Sequence, residues 1–421
     1  MSSSSVLSSL PNRWVIATAA FCMQLALGAV YAWSVFLPKV IDSYGVSRVA
    51  ANATFSIALA ALGITAGFGG YLNSRFGPRV MATAAGIVYG LGIILSAFVA
   101  PNLLLLYLTY GVIGGIGIGL GYIVALAMLI KWFPDRRGFI TGLAVAGFGG
   151  GAAITAPIAA NVLLPALKLN TTFLVLGIAY LVIIVVAAQF FRTAPEGYAP
   201  AGWTPSVKLQ AERSVREYTL QGALGLPRWY VLWLILALNV TAGAALISVA
   251  APLAKAFTGV SLGVASALVL TISIFNGAGR LFWGWLSDTI GRPFTFLSLF
   301  VIQIVAFAVI PFISSFALLL VPAAIIALCY GGGFGTMPAF AADFFGPRNA
   351  GTIYGAMLTA WSAGGIVGPI LITSFGTTKN PDYATPLYII AAIMLVSAVL
   401  PLVARALAHR RGDIVEATAG R

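Results

Sequence analysis

The stretch Gly70-Tyr-Leu-Asn-Ser-Arg-Phe-Gly77 returns in related form as Gly284-Trp-Leu-Ser-Asp-Thr-Ile-Gly291. Ordered matches at one offset, here about 212 to 215 residues, indicate internal duplication. We therefore predict an N-terminal half of residues 1–191, a cytoplasmic linker of residues 192–227 and a C-terminal half of residues 228–421. The other matches are Arg13-Trp14 with Arg228-Trp229, Gly28 with Gly243, Pro38 with Pro252, Gly121-Tyr122 with Gly333-Phe334, Gly138 and Gly142 with Gly351 and Gly355, and Pro157 with Pro369.

The sequence around these matches is strongly apolar, with 60% hydrophobic and 8% charged residues, against about a quarter charged in soluble domains. Twelve apolar stretches have about 20 residues or more, the length that crosses ~30 Å of hydrocarbon as a helix. They lack the alternation of a membrane β-barrel. We predict an all-α membrane protein whose six-helix halves are related by pseudo-twofold symmetry. The predicted spans are residues 14–38, 50–72, 80–99, 103–130, 139–162, 171–191, 229–254, 262–285, 294–312, 316–341, 351–373 and 385–407.

The net charge of +13 would suggest nucleic acid as a partner in a soluble protein. Here most Lys and Arg residues lie at the termini or in alternate connections between spans, and the other connections hold few. By the positive-inside rule this distribution predicts cytoplasmic termini. We expect a multi-pass protein of the cell (inner) membrane, in contact with lipid and not with nucleic acid, and without a cleavable signal peptide.

The segment Gly284-Trp-Leu-Ser-Asp288-Thr-Ile-Gly291-Arg292 resembles the loop signature of the major facilitator superfamily, which lies between the second and third helices of a half. The resemblance implies the major facilitator fold. We predict that Asp288 pairs with an Arg or accepts hydrogen bonds from a helix N-terminus and so acts as a gating latch. Arg292 and Arg75 are the basic gating candidates. The alternative to the Asp288 latch is an ordinary solvated turn. Ser74 replaces the acidic residue in the N-terminal copy, which predicts a weaker latch there.

The predicted membrane interior contains no acidic residue well inside a span, and the only histidine, His409, follows the last span. It therefore offers no proton relay, metal site or catalytic constellation. We predict a protein that is not an enzyme, with no catalytic residues, metal or cofactor.

Arg280 is the single basic residue deep within a predicted span. A charge there costs at least ~2.5 to 3.5 kcal/mol on insertion scales and is a functional-site hypothesis by default. We predict that Arg280 binds a small carboxylate anion through its guanidinium fork. Asn276 shares its helix face at i−4 and is a second substrate-binding candidate. The alternative is an Arg that caps the carbonyls of a broken helix.

Aromatic residues are predicted to complete a pocket around this charge. Tyr122, Tyr330 and Phe334 rank first because glycine-rich backbone beside them leaves space, and Tyr31 and Trp361 follow, with Trp33 a further aromatic candidate. The alternative is that they face lipid or pack between helices. For the glycine-rich stretches of residues 147–151 and 364–368 we favour helix packing over ligand contact.

Five segments carry a closer resemblance that covers nearly the whole chain: Asn12-Arg-Trp14, Gly28-Ala-Val-Tyr31-Ala-Trp33, Lys131-Trp-Phe-Pro-Asp-Arg-Arg-Gly138, Glu217-Tyr-Thr219 and Pro227-Arg-Trp-Tyr230. They resemble the oxalate/formate antiporter branch and the monocarboxylate transporters, and the resemblance implies that Arg280 is the essential substrate-binding Arg of their eighth helix. Two departures matter. Gly364 stands where the oxalate transporter has a Lys, and Asn276 stands where animal monocarboxylate transporters have an Asp, while Lys39 is too near the outer end to match their helix-1 Lys.

These observations predict a secondary active transporter of small monocarboxylate anions of the lactate or pyruvate type, working as a monomer by alternating access. Proton symport is what the monocarboxylate resemblance implies. Anion exchange of the oxalate/formate type, with a counter-anion in place of the proton, is the alternative. A drug exporter of the same fold is a second alternative, and an anion channel or membrane receptor is a third, from a different class.

Overall fold

The computed structural model describes residues 11–195, 198–200, 217–346 and 349–409. Within these ranges the chain forms twelve helices long and apolar enough to cross a membrane, which confirms the predicted number. They are α1 (Arg13–Tyr44), α2 (Arg48–Phe76), α3 (Pro78–Ser96), α4 (Leu103–Trp132), α5 (Phe139–Ala166), α6 (Leu169–Ala188), α7 (Pro227–Thr258), α8 (Leu262–Ile290), α9 (Arg292–Phe312), α10 (Phe316–Phe345), α11 (Ala350–Thr373) and α12 (Ala384–Leu407).

Several helices continue beyond the apolar stretch that predicted them. Helix α2 runs to Phe76 and α10 to Phe345, about one turn past the predicted ends. The helices stop where glycine takes a positive φ, at Gly77 (78°), Gly291 (85°) and Gly346 (88°), a conformation that costs glycine little. The sequence therefore located the apolar centres better than the ends, which are set by this backbone geometry. The last helix likewise continues to His409.

The repeat is visible in how matching helices begin. Ser47 caps α2 by accepting a hydrogen bond from the Ala50 amide at 3.2 Å, and Ser261 caps α8 by accepting one from the Val264 amide at 3.3 Å. A serine oxygen in this position satisfies one of the free amides of the first helical turn.

Helices α1–α6 meet α7–α12 mainly along two seams, where α2 packs on α11 and α5 packs on α8. Small residues allow this approach. A Cβ added at Gly149 would lie 2.9 Å from the Gly277 amide nitrogen, and one at Gly365 would lie 2.5 Å from Leu59 Cβ. These contacts agree with the packing role expected for residues 147–151 and 364–368.

Both the start of α1 and the end of α12 lie at one side of the helix bundle, because twelve spans return the chain to its starting side. We call this side the terminal face and the other the opposite face. The most buried helix is α7 and the least buried is α12. Large apolar side chains such as Leu104, Val305 and Val396 are exposed on the bundle's outside, as expected for contact with lipid.

Candidate functional site

Arg280 lies in α8, ten residues before its end at Ile290, or about 15 Å along the helix. Its side chain is 1% exposed. The guanidinium Nε donates to Asn276 Oδ1 at 3.4 Å. Nη1 and Nη2 have no hydrogen-bond partner among the described residues. Asn276 thus occupies the side of the guanidinium and leaves the pair of terminal nitrogens open.

Aromatic rings surround this guanidinium. Its Cζ lies 4.9 Å from the centroid of Phe334 and 5.7 Å from that of Phe148, distances at which a ring face attracts a cation. Trp361 packs on Phe334 with centroids 4.4 Å apart and on Phe148 at 5.4 Å. Tyr122 packs on both Phe148 and Trp361 at 5.2 Å. The structure therefore brings Tyr122, Phe334 and Trp361 together beside Arg280.

Tyr31 and Tyr330 join the same cluster from α1 and α10. Their hydroxyl oxygens are 2.9 Å apart and share a hydrogen bond. Tyr31 also packs on Phe148 at 5.4 Å, and Tyr330 packs on Phe334 at 5.3 Å. All five predicted aromatic candidates of the site are thus buried in one group of rings beside Arg280. We call this group the cage. Its residues come from both α1–α6 and α7–α12.

Two members of the cage were missed by the sequence reasoning. Phe148 lies inside the glycine-rich stretch of residues 147–151, which was assigned to packing as a whole. Tyr354 belongs to α11, and its buried hydroxyl has no hydrogen-bond partner among the described residues. Its hydroxyl and that of Tyr122 lie close to Arg280. The signal for both was a large aromatic beside glycines, as for Tyr122.

The polar groups left open around Arg280 are mainly donors. Within the described residues the atoms that lack a well-formed hydrogen bond are Arg280 Nη1 and Nη2, Asn276 Nδ2, Trp361 Nε1 and the hydroxyls of Tyr122 and Tyr354. The Tyr122 hydroxyl nevertheless lies beside Arg280 and Tyr354, and the Trp361 indole lies beside Tyr330. Unsatisfied buried donors are costly, so this arrangement favours an anion. Across the described ranges no three His, Cys, Asp or Glu residues are placed to hold a metal ion.

Trp33 lies apart from the cage. Its indole Nε1 donates to Asn52 Oδ1 at 3.1 Å, and the Asn52 amide donates to Ser248 Oγ at 3.1 Å and to the Pro369 carbonyl at 3.3 Å. This network ties α1 and α2 to α7 and α11. Trp33 is therefore a packing and interhelix residue, not a lining candidate.

In this structure α11 has no room for a second cation at Gly364, the position that aligns with the lysine of the oxalate transporter. A Cβ added at Gly364 would lie 2.5 Å from the Ala237 carbonyl oxygen and 2.8 Å from the Thr241 amide nitrogen. Both atoms belong to the backbone of α7, which leaves no room for a lysine. Trp361, one turn earlier in α11, does reach the Arg280 cage.

The gating candidates of the C-terminal copy form one charged network at the terminal face. Arg292 Nη2 lies 2.5 Å from Asp288 Oδ1, Arg292 Nε donates to Asp343 Oδ2 at 3.2 Å, and Nη1 donates to Ser287. All these residues belong to α8–α10. The network therefore fixes the α8–α9 turn against α10, and a latch acting on the transport cycle stays a prediction.

Among the described residues, the N-terminal copy shows no such charged network. Arg75 is exposed and stacks on its neighbour Phe76 at 5.5 Å, and Ser74 donates to the Tyr71 carbonyl of its own helix. Asp135, the next acidic residue along the chain, is bound by Arg13, which donates to both carboxylate oxygens at 2.6 and 3.0 Å. This hydrogen-bonded guanidinium holds the pKa of Asp135 below its usual value, so the pair persists at neutral pH.

The chain matches the family model of the Major Facilitator Superfamily over residues 16–369 and again over residues 232–419. It is 32% identical to the uncharacterized MFS-type transporter YhjX of Escherichia coli over 361 residues, 84% of this chain and 86% of the relative. It is 28% identical to the oxalate:formate antiporter of Oxalobacter formigenes over 405 residues, 94% and 93% of the two chains. Monocarboxylate transporter 11 of Mus musculus matches at 33% identity over 145 residues, 34% of this chain and 32% of the relative.

Among solved structures, a bacterial homolog of the human lysosomal transporter Spinster, in an inward-facing and unoccupied conformation, superposes with a TM-score of 0.67. The match covers 95% of this chain and 96% of that one at 16% sequence identity, so it speaks for the fold alone. The family model, the relatives and the twelve helices agree with the resemblance read from the sequence motifs. The chain belongs to the major facilitator superfamily.

Proposed function

We propose that the chain is a secondary active transporter, and not an enzyme, for small monocarboxylate anions such as lactate and pyruvate. The observation that carries this proposal is the buried Arg280 guanidinium, whose Nη1 and Nη2 have no partner among the described residues. A carboxylate fits two parallel guanidinium N–H groups. Asn276 holds the third side of the fork at 3.4 Å and so directs the open edge.

The cage favours one small, singly charged anion. Arg280 is the one basic side chain that the described residues place among these rings, and the rings leave no second charge to meet a dicarboxylate. Leaving a buried charge uncompensated costs several kcal/mol. The names of two relatives, an oxalate:formate antiporter and a monocarboxylate transporter, support a small carboxylate as the class.

The position of the cage supports alternating access. Tyr31, Tyr122 and Phe148 come from α1–α6, whereas Arg280 and Trp361 come from α7–α12. We propose that residues 1–191 and 228–421 rock as two halves about this site, along the α2–α11 and α5–α8 seams. The charge distribution of the connections supports an inner-membrane protein with cytoplasmic termini and with the linker of residues 192–227 on that side. We propose that it works as a monomer.

Proton symport is the coupling we propose, and anion exchange is the second candidate. A specific observation favours exchange: every Asp or Glu in a described membrane helix lies within two residues of its end, as Asp42, Asp288 and Asp343 do. No carboxylate in these helices is then placed to carry a proton beside Arg280. The exchange candidate also has the support of the antiporter relative that matches most of the chain.

The test is uptake of labelled lactate, pyruvate, formate and oxalate into proteoliposomes. One set of vesicles has an inward proton gradient, a second has none, and a third is preloaded with unlabelled formate or oxalate. Symport predicts accumulation of lactate driven by the proton gradient alone. Exchange predicts that uptake needs the preloaded anion. Failure of all four anions to enter under every condition contradicts the proposed substrate class.

A further inference from the structure

A groove at the terminal face lies between the α2–α3 turn and the end of α6. Its cavity volume is about 240 Å³, and residues 76–80 and 191–193 line it. It lies far along the bundle from the Arg280 cage and plays no part in the proposed transport site.

Two arginines form the polar side of this groove. Arg79 Nε and Nη2 donate to Gln189 Oε1 at 3.0 and 2.6 Å. Arg192 Nη1 donates to the carbonyl oxygens of Gln189 and Phe191 at 2.7 and 2.9 Å. Gln189 thus holds the two guanidinium groups on either side of itself. In the described part of the chain neither arginine forms an ion pair with a carboxylate.

The related turn in the C-terminal copy shows what is missing. There Arg292 is neutralised by Asp288 and Asp343. In the N-terminal copy Ser74 takes the place of the acidic residue, and its hydroxyl is bonded to the Tyr71 carbonyl. The positive charge of the N-terminal turn therefore has no acidic partner among the described residues and is available to a group from elsewhere.

Apolar side chains flank the same groove and face outward. Phe76 is 51% exposed and Val80 is 58% exposed, and both line it, while the adjoining Phe190 is 48% exposed. Exposed phenylalanine and valine on a membrane helix face hydrocarbon, and the arginines stand at the level where α3 begins and α6 ends. The groove thus joins a cationic end to an apolar outer wall.

We propose that this groove binds the phosphate headgroup of an anionic phospholipid. A guanidinium fork matches phosphate oxygens bidentately, and basic side chains at a membrane surface attract anionic lipids. A larger groove at the opposite face, of about 600 Å³, also holds two cations, Lys39 and Lys168. Its lining includes no exposed large apolar side chain, so it supplies a matched control of equal charge.

The test measures binding of fluorescent phosphatidylglycerol to the purified full chain in neutral detergent. Arg79→Gln with Arg192→Gln removes both charges, and we expect affinity to fall about 30-fold. The control pair Lys39→Gln with Lys168→Gln removes the same charge elsewhere and should bind as wild type does. Inorganic phosphate in large excess is added to separate a lipid site from a site for free phosphate.

A second variant covers the case in which loss of both arginines disturbs folding. Thr193→Glu puts a carboxylate into the groove and leaves the Gln189 contacts in place, so it should also weaken phosphatidylglycerol binding, whereas Thr193→Gln should not. Unchanged lipid affinity in Thr193→Glu overturns the proposal. An equal loss of affinity in the Lys39 and Lys168 control also overturns it, because that result would mean non-specific electrostatic attraction. Displacement of the lipid by inorganic phosphate overturns it as well.

Discussion

The surroundings of Arg280 favour binding of an anion. Its guanidinium is buried, its terminal nitrogens lack partners among the described residues, and its contacts there are Asn276 and the faces of Phe148 and Phe334. Each ring face offsets about 0.5 to 2 kcal/mol of the cost, and an isolated buried charge costs more than that. In the proposed function, a carboxylate on Nη1 and Nη2 would supply the missing compensation.

Replacement of Arg280 by lysine tests the fork at the level of one residue. An ammonium keeps the charge and loses the planar pair of donors, so Arg280→Lys should reduce lactate uptake nearly as much as Arg280→Ala, by about 10- to 100-fold. Arg405→Lys, an exposed arginine outside the cage, is the matched control. Near-normal uptake by either well-folded Arg280 variant removes this residue from the site.

Replacement of Asn276 by aspartate tests coupling. An ionised carboxylate beside Arg280 would compete with the substrate for the guanidinium, and its protonation would release the fork. Uptake by Asn276→Asp should therefore rise as pH falls through the pKa of the new carboxylate, more steeply than in wild type. Asn276→Gln is the control and should keep the wild-type profile. An active Asn276→Asp variant with an unchanged pH profile means that the two side chains are not coupled.

Selectivity depends on the number of cations in the cage. With one cation, wild type should prefer lactate to oxalate, because the second oxalate charge stays uncompensated at a cost of several kcal/mol. Trp361→Lys adds a cation at the α11 position that reaches the cage and should shift preference toward oxalate. Gly364→Lys should instead damage folding, because α7 backbone lies against its Cβ.

Competition of each unlabelled anion against labelled lactate measures this preference. Equal inhibition of wild type by oxalate and lactate would show that another group meets the second charge.

At the scale of elements, one arginine connects two helices across the opposite face. Arg48 at the start of α2 donates from Nη2 to the carbonyl oxygens of Thr373 and Phe375 at 3.1 and 2.5 Å. Its Cζ also lies 4.8 Å from the ring centroid of Tyr383. Since Thr373 ends α11, this contact spans the α2–α11 seam, and we expect it to resist opening of that face.

Removal of Arg48 should open the opposite face more often. Ser266 lies in the same region, bonded to Asn161 across the α5–α8 seam at 3.3 Å. In a background with Cys22→Ala and Cys329→Ala, a Ser266→Cys reporter should react about tenfold faster with a polar maleimide when Arg48→Ala is added, as expected for losing ~1 to 3 kcal/mol of polar contacts. Lys255→Ala is the control. Equal reaction rates of the Ser266→Cys reporter with and without Arg48→Ala would exclude the Arg48 contact from gating.

At the scale of the whole molecule, sequence alone predicted twelve helices and the position of Arg280. Both depend on one-dimensional facts, the length of apolar stretches and the scarcity of charge. The sequence did not show which of Phe148, Tyr354, Trp361 and Gly364 reach the cage. This depends on which helices face each other across the two seams, and a single sequence does not contain that information. That residues 1–191 and 228–421 move as two halves remains a proposal.

The most direct measurement is an experimental structure of the chain with bound lactate. We predict the carboxylate oxygens within about 3 Å of Arg280 Nη1 and Nη2, with Asn276 beside them and the rings of Phe334 and Trp361 around the methyl group. Lactate found elsewhere in the bundle, with the Arg280 fork bound to protein atoms instead, would contradict the account.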